Sequence, residues 1–285
     1  MTIHDSKVKR LERIANTIRQ DIIASLVEAG SGHSAGPLDL ADIFTALYFH
    51  ILHHRPKQPL WPDRDRLILS CGHVCPVRYA AMARAGYFPL AMLQTLRKLG
   101  SPLQGHPELH KLPAVESTSG PLGQGSSVSV GVALAAKMDG KKWRTYSVLS
   151  DGEHQEGQVW EAIMFAGKNK LNNLTFLIDR NNIQIDGMTE DVMPLEPLAE
   201  KYCAFNWHVI EIDGHNIREI ADACEQAKSI YEKPTVIIAH TIPGRGVSFM
   251  EKKYEWHGIP PNVEQAAEAF RDLRTLRGKI VSEHQ

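Results

Sequence analysis

Apolar residues recur at helical spacing near the start of the chain, where Leu11, Ile14, Ala15, Ile18, Ile22 and Leu26 fall on one face. The pattern predicts a helix over Leu11–Glu28, ended by Gly30, Gly32 and the polar stretch around His33. A second helix is predicted over about Leu38–Leu52. Beyond it the period shortens. Apolar, β-rich runs stand at Arg66–Leu69, Tyr146–Leu149, Leu174–Ile178, His208–Ile212 and Thr235–Ala239, each closing on small or polar residues. Helical stretches lie between them, notably Val128–Lys137, Val159–Lys170 and Ile217–Tyr231. Short buried strands alternating with amphipathic helices imply an α/β fold, a parallel sheet flanked by helices on both faces. Ligands of such sheets sit beyond the carboxyl ends of the strands. Repeats, low-complexity tracts and Pro/Gly/Ser linkers are absent, which predicts a single domain over residues 1–285 with a C-terminal helical tail, Val263–Arg277.

Composition removes several classes of partner. A formal net charge of −1 leaves no electrostatic footprint for nucleic acid or an acidic membrane surface. The polar start, MTIHDSKVKRLERIAN, has no apolar core of the secretory kind, and no apolar run approaches the roughly 18 residues of a spanning helix. Cys71, Cys75, Cys203 and Cys224 are too scattered for a disulfide framework. Cys71-Gly-His-Val-Cys75 suggests zinc, but no second Cys/His cluster completes four ligands. A reducing cytoplasm is the expected location.

Two strand ends carry chemistry. The run Tyr146–Leu149 leads into Ser150-Asp151-Gly152, and Leu174–Ile178 leads into Asp179-Arg180-Asn181-Asn182-Ile183. Asp151 and Asn181 are 30 positions apart, room for a turn, a crossover helix and a strand. On neighbouring strands they would share one crevice. A carboxylate and an amide oxygen are hard ligands suited to magnesium or calcium, and magnesium completes its octahedron with phosphate oxygens and water. Gly152 would let a diphosphate approach the backbone, and the helix starting near Gln155-Glu156-Gly157 would aim its amino end there. Either piece alone is better read as a turn or loop. Together, at strand ends, they favour a site.

Further along stand Gly32-His33-Ser34, Leu69-Ser70-Cys71-Gly72-His73, Gly105-His106-Pro107-Glu108 and Trp256-His257-Gly258. Any one of the chain's 14 histidines is uninformative by itself. Gly120-Pro121-Leu122-Gly123-Gln124-Gly125 reads as a tight loop approaching a ligand, or equally as a helix-entry turn.

In this order these stretches, with SDGEHQEGQVWEA and NLTFLIDRNNIQIDG, resemble the transketolase family and its thiamine-diphosphate signature, although Ser150 stands where the signature usually has glycine. The resemblance runs from about Arg10 to Gly278. It implies that Asp151, Asn181 and the backbone carbonyl of Ile183 ligate Mg²⁺, for which Ca²⁺ or Mn²⁺ can substitute, and that this ion anchors the cofactor diphosphate. It implies further that His33, His106 and His257 face substrate oxygens. His73 would lie near the diphosphate, with Gly120, Pro121, Leu122 and Gly152 against the cofactor. Glu156 would sit at a subunit interface in acidic communication between two active sites. Cys71 and Pro243 replace lysines that some members place near the diphosphate; Arg245 keeps one cation in the neighbourhood.

The resemblance covers only the amino-terminal half of a single-chain transketolase. The other half carries the pyrimidine-binding domain and its catalytic glutamate. A separate C-terminal subunit of similar size is therefore expected, two copies of each forming a heterotetramer that acts on a small sugar; a chain shortened from a longer protein is the alternative. Other divided thiamine-diphosphate enzymes, 2-oxo acid dehydrogenases or deoxyxylulose-phosphate-synthase-like proteins, share the Asp-Gly … Asn signature, and a non-catalytic cofactor-binding subunit is a third reading.

Overall fold

The computed structural model describes residues 3–275. The ends assigned from sequence to the last helix, Arg277, and to the family resemblance, Gly278, lie outside the described residues. The chain opens with α1 (Asp5–Ala29), closed by Gly30 in a left-handed conformation (φ 62°) whose N–H returns to Leu26 and Val27 carbonyls. It continues through α2 (Ala35–Asp39), α3 (Ala41–Ala46), β1 (Arg66–Leu69), α4 (Cys75–Ala85) and α5 (Gln124–Met138). Next come β2 (Thr145–Ser150), α6 (Gly157–Lys168), β3 (Leu174–Arg180), the two-residue strands β4 (Ile183–Gln184) and β5 (Gly187–Met188), α7 (Thr189–Val192) and α8 (Leu198–Ala204). The last elements are β6 (His208–Asp213), α9 (Ile217–Lys228), β7 (Thr235–His240) and α10 (Val263–Thr275).

Five strands form one parallel sheet in the order β1-β2-β3-β7-β6. Alternate strand residues enter opposite cores, as a period of two requires. Leu177, Ile237 and Ala239 join the core packed with α1, α3 and α4, whereas Phe176, Ile178, Val236 and Ile238 join the core under α6 and α8. Each of these seven residues is at most 2% exposed, so both sheet faces are covered and the expected α/β architecture is present.

The predicted strands all form, extended by a residue or two at several ends. The predicted second helix does not run unbroken: Leu38–Leu52 divides among α2, α3 and a π turn, Leu47–Ile51, where Leu52 N–H reaches back five residues to Leu47. Helix α4 was not predicted; Pro76 in its first turn and left-handed Gly86 after it mark its ends. Residues 96–123, between the 3₁₀ turn Leu90–Thr95 and α5, hold no regular helix or strand. No described helix is long and apolar enough to cross a membrane.

Candidate functional site

At the carboxyl ends of the strands lies a cavity of about 270 Å³, walled by His33, His73, His106, His257, Gly120, Leu122, Ser150, Gly152, Glu153, Ile183, Gln184 and Ile185. The four histidines come from four separate loops. His33 follows α1. His73 lies in the turn Gly72–Val74 after β1, where a side chain at Gly72 would strike Ser119 Oγ at 2.6 Å and the Gly120 nitrogen at 3.1 Å. Glycine there is what lets the 119–120 loop close over the strand end. His106 belongs to the irregular stretch 96–123, and His257 follows the turn Tyr254–Trp256. The buried Ser34 hydroxyl ties two of these loops, approaching the carbonyls of Trp256 at 3.1 Å and Ile259 at 2.6 Å.

The rings of His33, His73 and His257 touch, with centroids 4.8, 5.1 and 5.5 Å apart. Burial and then mutual repulsion hold their pKa values down: His33 falls to about 4, His73 goes well below the usual range, and burial lowers His257 and His106. At neutral pH all four are uncharged. His33 Nδ1 and His257 Nδ1 are buried without a hydrogen-bond partner among the described residues. Buried polar atoms are seldom left so; these two suit a polar ligand.

Behind Ser150 and Gly152 of the cavity wall lies a cluster of buried acids; Asp151 and its neighbour Asn181 do not themselves line the cavity. The register pairs Ser150 with Asp179 and so brings Asp151 beside Arg180. Asp151 is fully buried. Its Oδ1 accepts from Gly152 N–H at 2.6 Å; its Oδ2 accepts from Arg180 Nη1 at 2.9 Å, Asn182 N–H at 2.7 Å and the Thr189 hydroxyl at 3.3 Å. Burial raises its pKa, against the pull of Arg180. Asn181 donates to Asp39 at 3.1 Å and Asp179 at 2.9 Å, and its Oδ1 accepts from Ile183 N–H at 3.1 Å. Burial pushes Asp179 up to about 8, with the Asp151 charge adding to it, and pushes Asp39 well above its usual range, with the Asp179 charge adding to that. Arg180 also pairs with Glu190 at 2.6 Å and Glu196 at 2.8 Å, joining this cluster to the 187–196 loop.

The donor set suits the expected groups. A carboxylate (Asp151), an amide oxygen (Asn181) and a backbone carbonyl (Ile183) at adjacent strand ends are hard oxygens of the kind magnesium takes. Among the described residues no three His, Cys, Asp or Glu could hold an ion alone, so one here would lean on phosphate oxygens. The two histidines that keep an unpaired nitrogen among the described residues both line the cavity. Arg180 is the resident counter-charge of Asp151, and an ion would share that carboxylate with it.

Not every expected residue reaches the cavity. Gly120, Leu122, Gly152 and Ile183 line it, but Pro121 faces solvent between two of them. Glu156 is exposed at the amino end of α6 and lines no part of the cavity, as a residue expected at a subunit interface would be. The turn Gly152–Gln155 rotates Glu153 inward instead. That buried carboxylate accepts from the Ser70 hydroxyl, from Gly123 N–H at 2.6 Å and from Ser150 N–H at 3.3 Å, stapling the 120–123 loop to two strand ends. Burial raises its pKa to about 7. Ser150 uses its hydroxyl to accept from Glu153 N–H at 3.3 Å, a bond the signature glycine could not make. Arg245, expected near the diphosphate, is buried 3.8 Å from Glu251 and outside the cavity wall. The Cys71 thiol donates to the Val148 carbonyl and Cys75 to that of Gly105, and burial pushes Cys75 up to about 12. Sequence reasoning passed over Glu153, Asp39, Asp179 and Arg180; only the acid-rich strand ends hinted at them.

The model of the transketolase thiamine-diphosphate-binding domain matches residues 11–274. The 6-deoxy-6-sulfo-D-fructose transketolase subunit of a Clostridium species is 44% identical, over 92% of this chain and 96% of that protein. An apulose-4-phosphate transketolase subunit of Phocaeicola vulgatus is 37% identical, over 98% and 99%. Human transketolase is 38% identical, but the match covers 94% of this chain and only 42% of that protein. The solved transketolase of Leishmania mexicana superposes with a TM-score of 0.87 at 34% identity, over 93% of this chain and 41% of that one. The chain thus spans nearly all of the relatives named as subunits and about two-fifths of the single-chain enzymes.

Proposed function

This chain belongs to the transketolase family, and from that premise we propose that it is the thiamine-diphosphate-binding subunit of a divided transketolase. Its activity is transfer of a two-carbon ketol unit from a ketose to an aldose. The partner would be a C-terminal subunit with the pyrimidine-binding domain and its glutamate, in a two-plus-two heterotetramer. The single domain spans the chain, and four free thiols suit a reducing cytoplasm.

The observation that carries this reading is the layering of the site. Asp151 and Asn181, with the Ile183 carbonyl, would hold Mg²⁺ and through it the diphosphate. Gly120, Leu122 and Gly152 would form the cradle around it. When bound, thiamine diphosphate supplies the electron sink that stabilises a two-carbon carbanion. The residues of this chain do the rest. His33 and His257 would donate hydrogen bonds to sugar oxygens as charge grows there, and a neutral imidazole can pass a proton to an alkoxide and take it back. His106 would orient the sugar, and His73 would lie beside the diphosphate.

Calorimetry on the assembled complex is expected to show magnesium-dependent uptake of thiamine diphosphate, and ketose-to-aldose transfer should follow. Decarboxylation of 2-oxo acids without ketol transfer would instead assign the chain to another reaction.

A further inference from the structure

Glu153 belongs to the cavity wall, yet it is 0% exposed and both its oxygens are engaged by protein donors. The donors come from three segments that converge on the site. They are the Ser70 hydroxyl just past β1, Gly123 N–H at the entry to α5 and Ser150 N–H at the end of β2. Among the described residues the carboxylate has no cationic partner, and the nearby Glu156 charge opposes its own. A buried carboxylate without a cation is costly, and an apolar side chain would cost the core less. Stability alone does not account for it.

Glu153 and Ser150 also hold each other. The Ser150 hydroxyl accepts from Glu153 N–H at 3.3 Å, and Glu153 accepts from Ser150 N–H at 3.3 Å. This is the reciprocal geometry of a capping box, Ser-x-x-Glu, set on the turn Gly152–Gln155. The signature glycine could keep only half of it.

The loop that Glu153 grips is restrained at several further points. Gln158 donates to the Leu122 carbonyl at 2.9 Å, and the Ser126 hydroxyl donates to the Gly123 carbonyl at 2.6 Å. Gly123 is left-handed (φ 83°), and a side chain there would meet Gln158 at 2.8 Å. A side chain at Gly125 would strike Ser70 Oγ at 2.5 Å, so α5 starts directly against the end of β1. Gly120 and Leu122 line the cavity, and their N–H groups have no acceptor among the described residues.

We propose that Glu153, oriented by Ser150, is a positioning residue that sets the 120–123 loop for its ligand, and that serine in place of the signature glycine tightens cofactor binding in this chain. This rests on the proposed function, in which the ligand is thiamine diphosphate. With both oxygens engaged, Glu153 acts through Gly123 and not by contact.

The test is calorimetric titration of thiamine diphosphate, with magnesium, into the complex with its partner chain present. In Glu153→Ala the Kd should rise about tenfold, and in Ser150→Gly about threefold. Glu153→Gln should recover most of the loss, because its amide oxygen can still accept from Gly123 N–H. Adding Ser150→Gly to Glu153→Ala should weaken binding no further, since the serine works through the carboxylate. Amide exchange over residues 119–125 should quicken in cofactor-free Glu153→Ala, a change that the urea unfolding midpoint does not report. Tighter binding in Glu153→Ala would mean that the carboxylate only repels the diphosphate, and overturns the proposal. So does a Kd unchanged in Glu153→Ala, or, should that variant fail to fold, unchanged in Ser150→Gly. A wild-type complex without magnesium-dependent uptake overturns the proposed function and this proposal together.

Discussion

His33 and His257 in the upper layer of the site and Asp151 and Asn181 in the lower treat their polar atoms in opposite ways, although Asp39 below also keeps one oxygen without a partner among the described residues. Above, His33 and His257 each keep a buried nitrogen without a partner among the described residues, and burial, joined at His33 by repulsion from its neighbours, disfavours charge on the rings. Below, Asp151 accepts four hydrogen bonds and Asn181 is held by two acids and a backbone N–H. Unpaired atoms await a ligand that changes during a reaction; saturated ones hold still. Under the proposed function, the lower layer would be scaffold and anchor and the upper layer the part that meets substrate.

The contrast breaks first, and hardest, at Asp151. Replacing it by alanine leaves Arg180 buried beside less negative charge, which should lower unfolding free energy by about 3–5 kcal/mol. Urea titration would show this, with loss of magnesium-dependent cofactor binding. A well-folded Asp151→Ala protein that still binds cofactor would erase the distinction. His257→Ala should behave in the reverse manner. Turnover by the complex is expected to drop about a hundredfold, while the unfolding midpoint moves little.

A subtler test is acid. Because the fold lowers His33 to about 4 from an ordinary 6.5, the folded protein prefers the neutral ring. The unfolded chain binds the extra proton between those values, so stability is complete above pH 6.5 and declines as pH falls through about 4. His33→Asn should flatten that decline in denaturation curves taken across the window. Smallest of all is Glu156→Gln: an exposed side chain outside the cavity should alter stability and cofactor affinity by no more than about 0.5 kcal/mol. A large loss would restore Glu156 to the site.

Much of this arrangement is legible in the chain. The strand ends at Asp151 and Asn181 could be found because a parallel strand must stop in polar residues where the crevice begins, and their spacing permits adjacent strands. That β7 lies between β3 and β6 could not, since no local pattern reports which strands pair. Helix α4 was hidden by Cys71-Gly-His-Val-Cys75, whose polar and glycine residues read as a turn although Pro76 and Gly86 frame a helix. Glu153 and Glu156 are three residues apart, and only the pitch of a single 3₁₀ turn decides which faces inward. Arg97 meets Ser31 across 66 positions, a pairing to which local periodicity is blind.

The placement of residues 96–123 outside the sheet has a consequence for descent. Under the proposed function, grip on the vitamin-derived cofactor would reside in strand ends locked by register, where any alteration disturbs the core. His106 and the hollow it shares with Arg97 and Glu108 instead belong to a stretch with no ladder to break. A lineage could thus reshape this wall of the cavity by editing a few codons in the segment, leaving the sheet beneath as inherited.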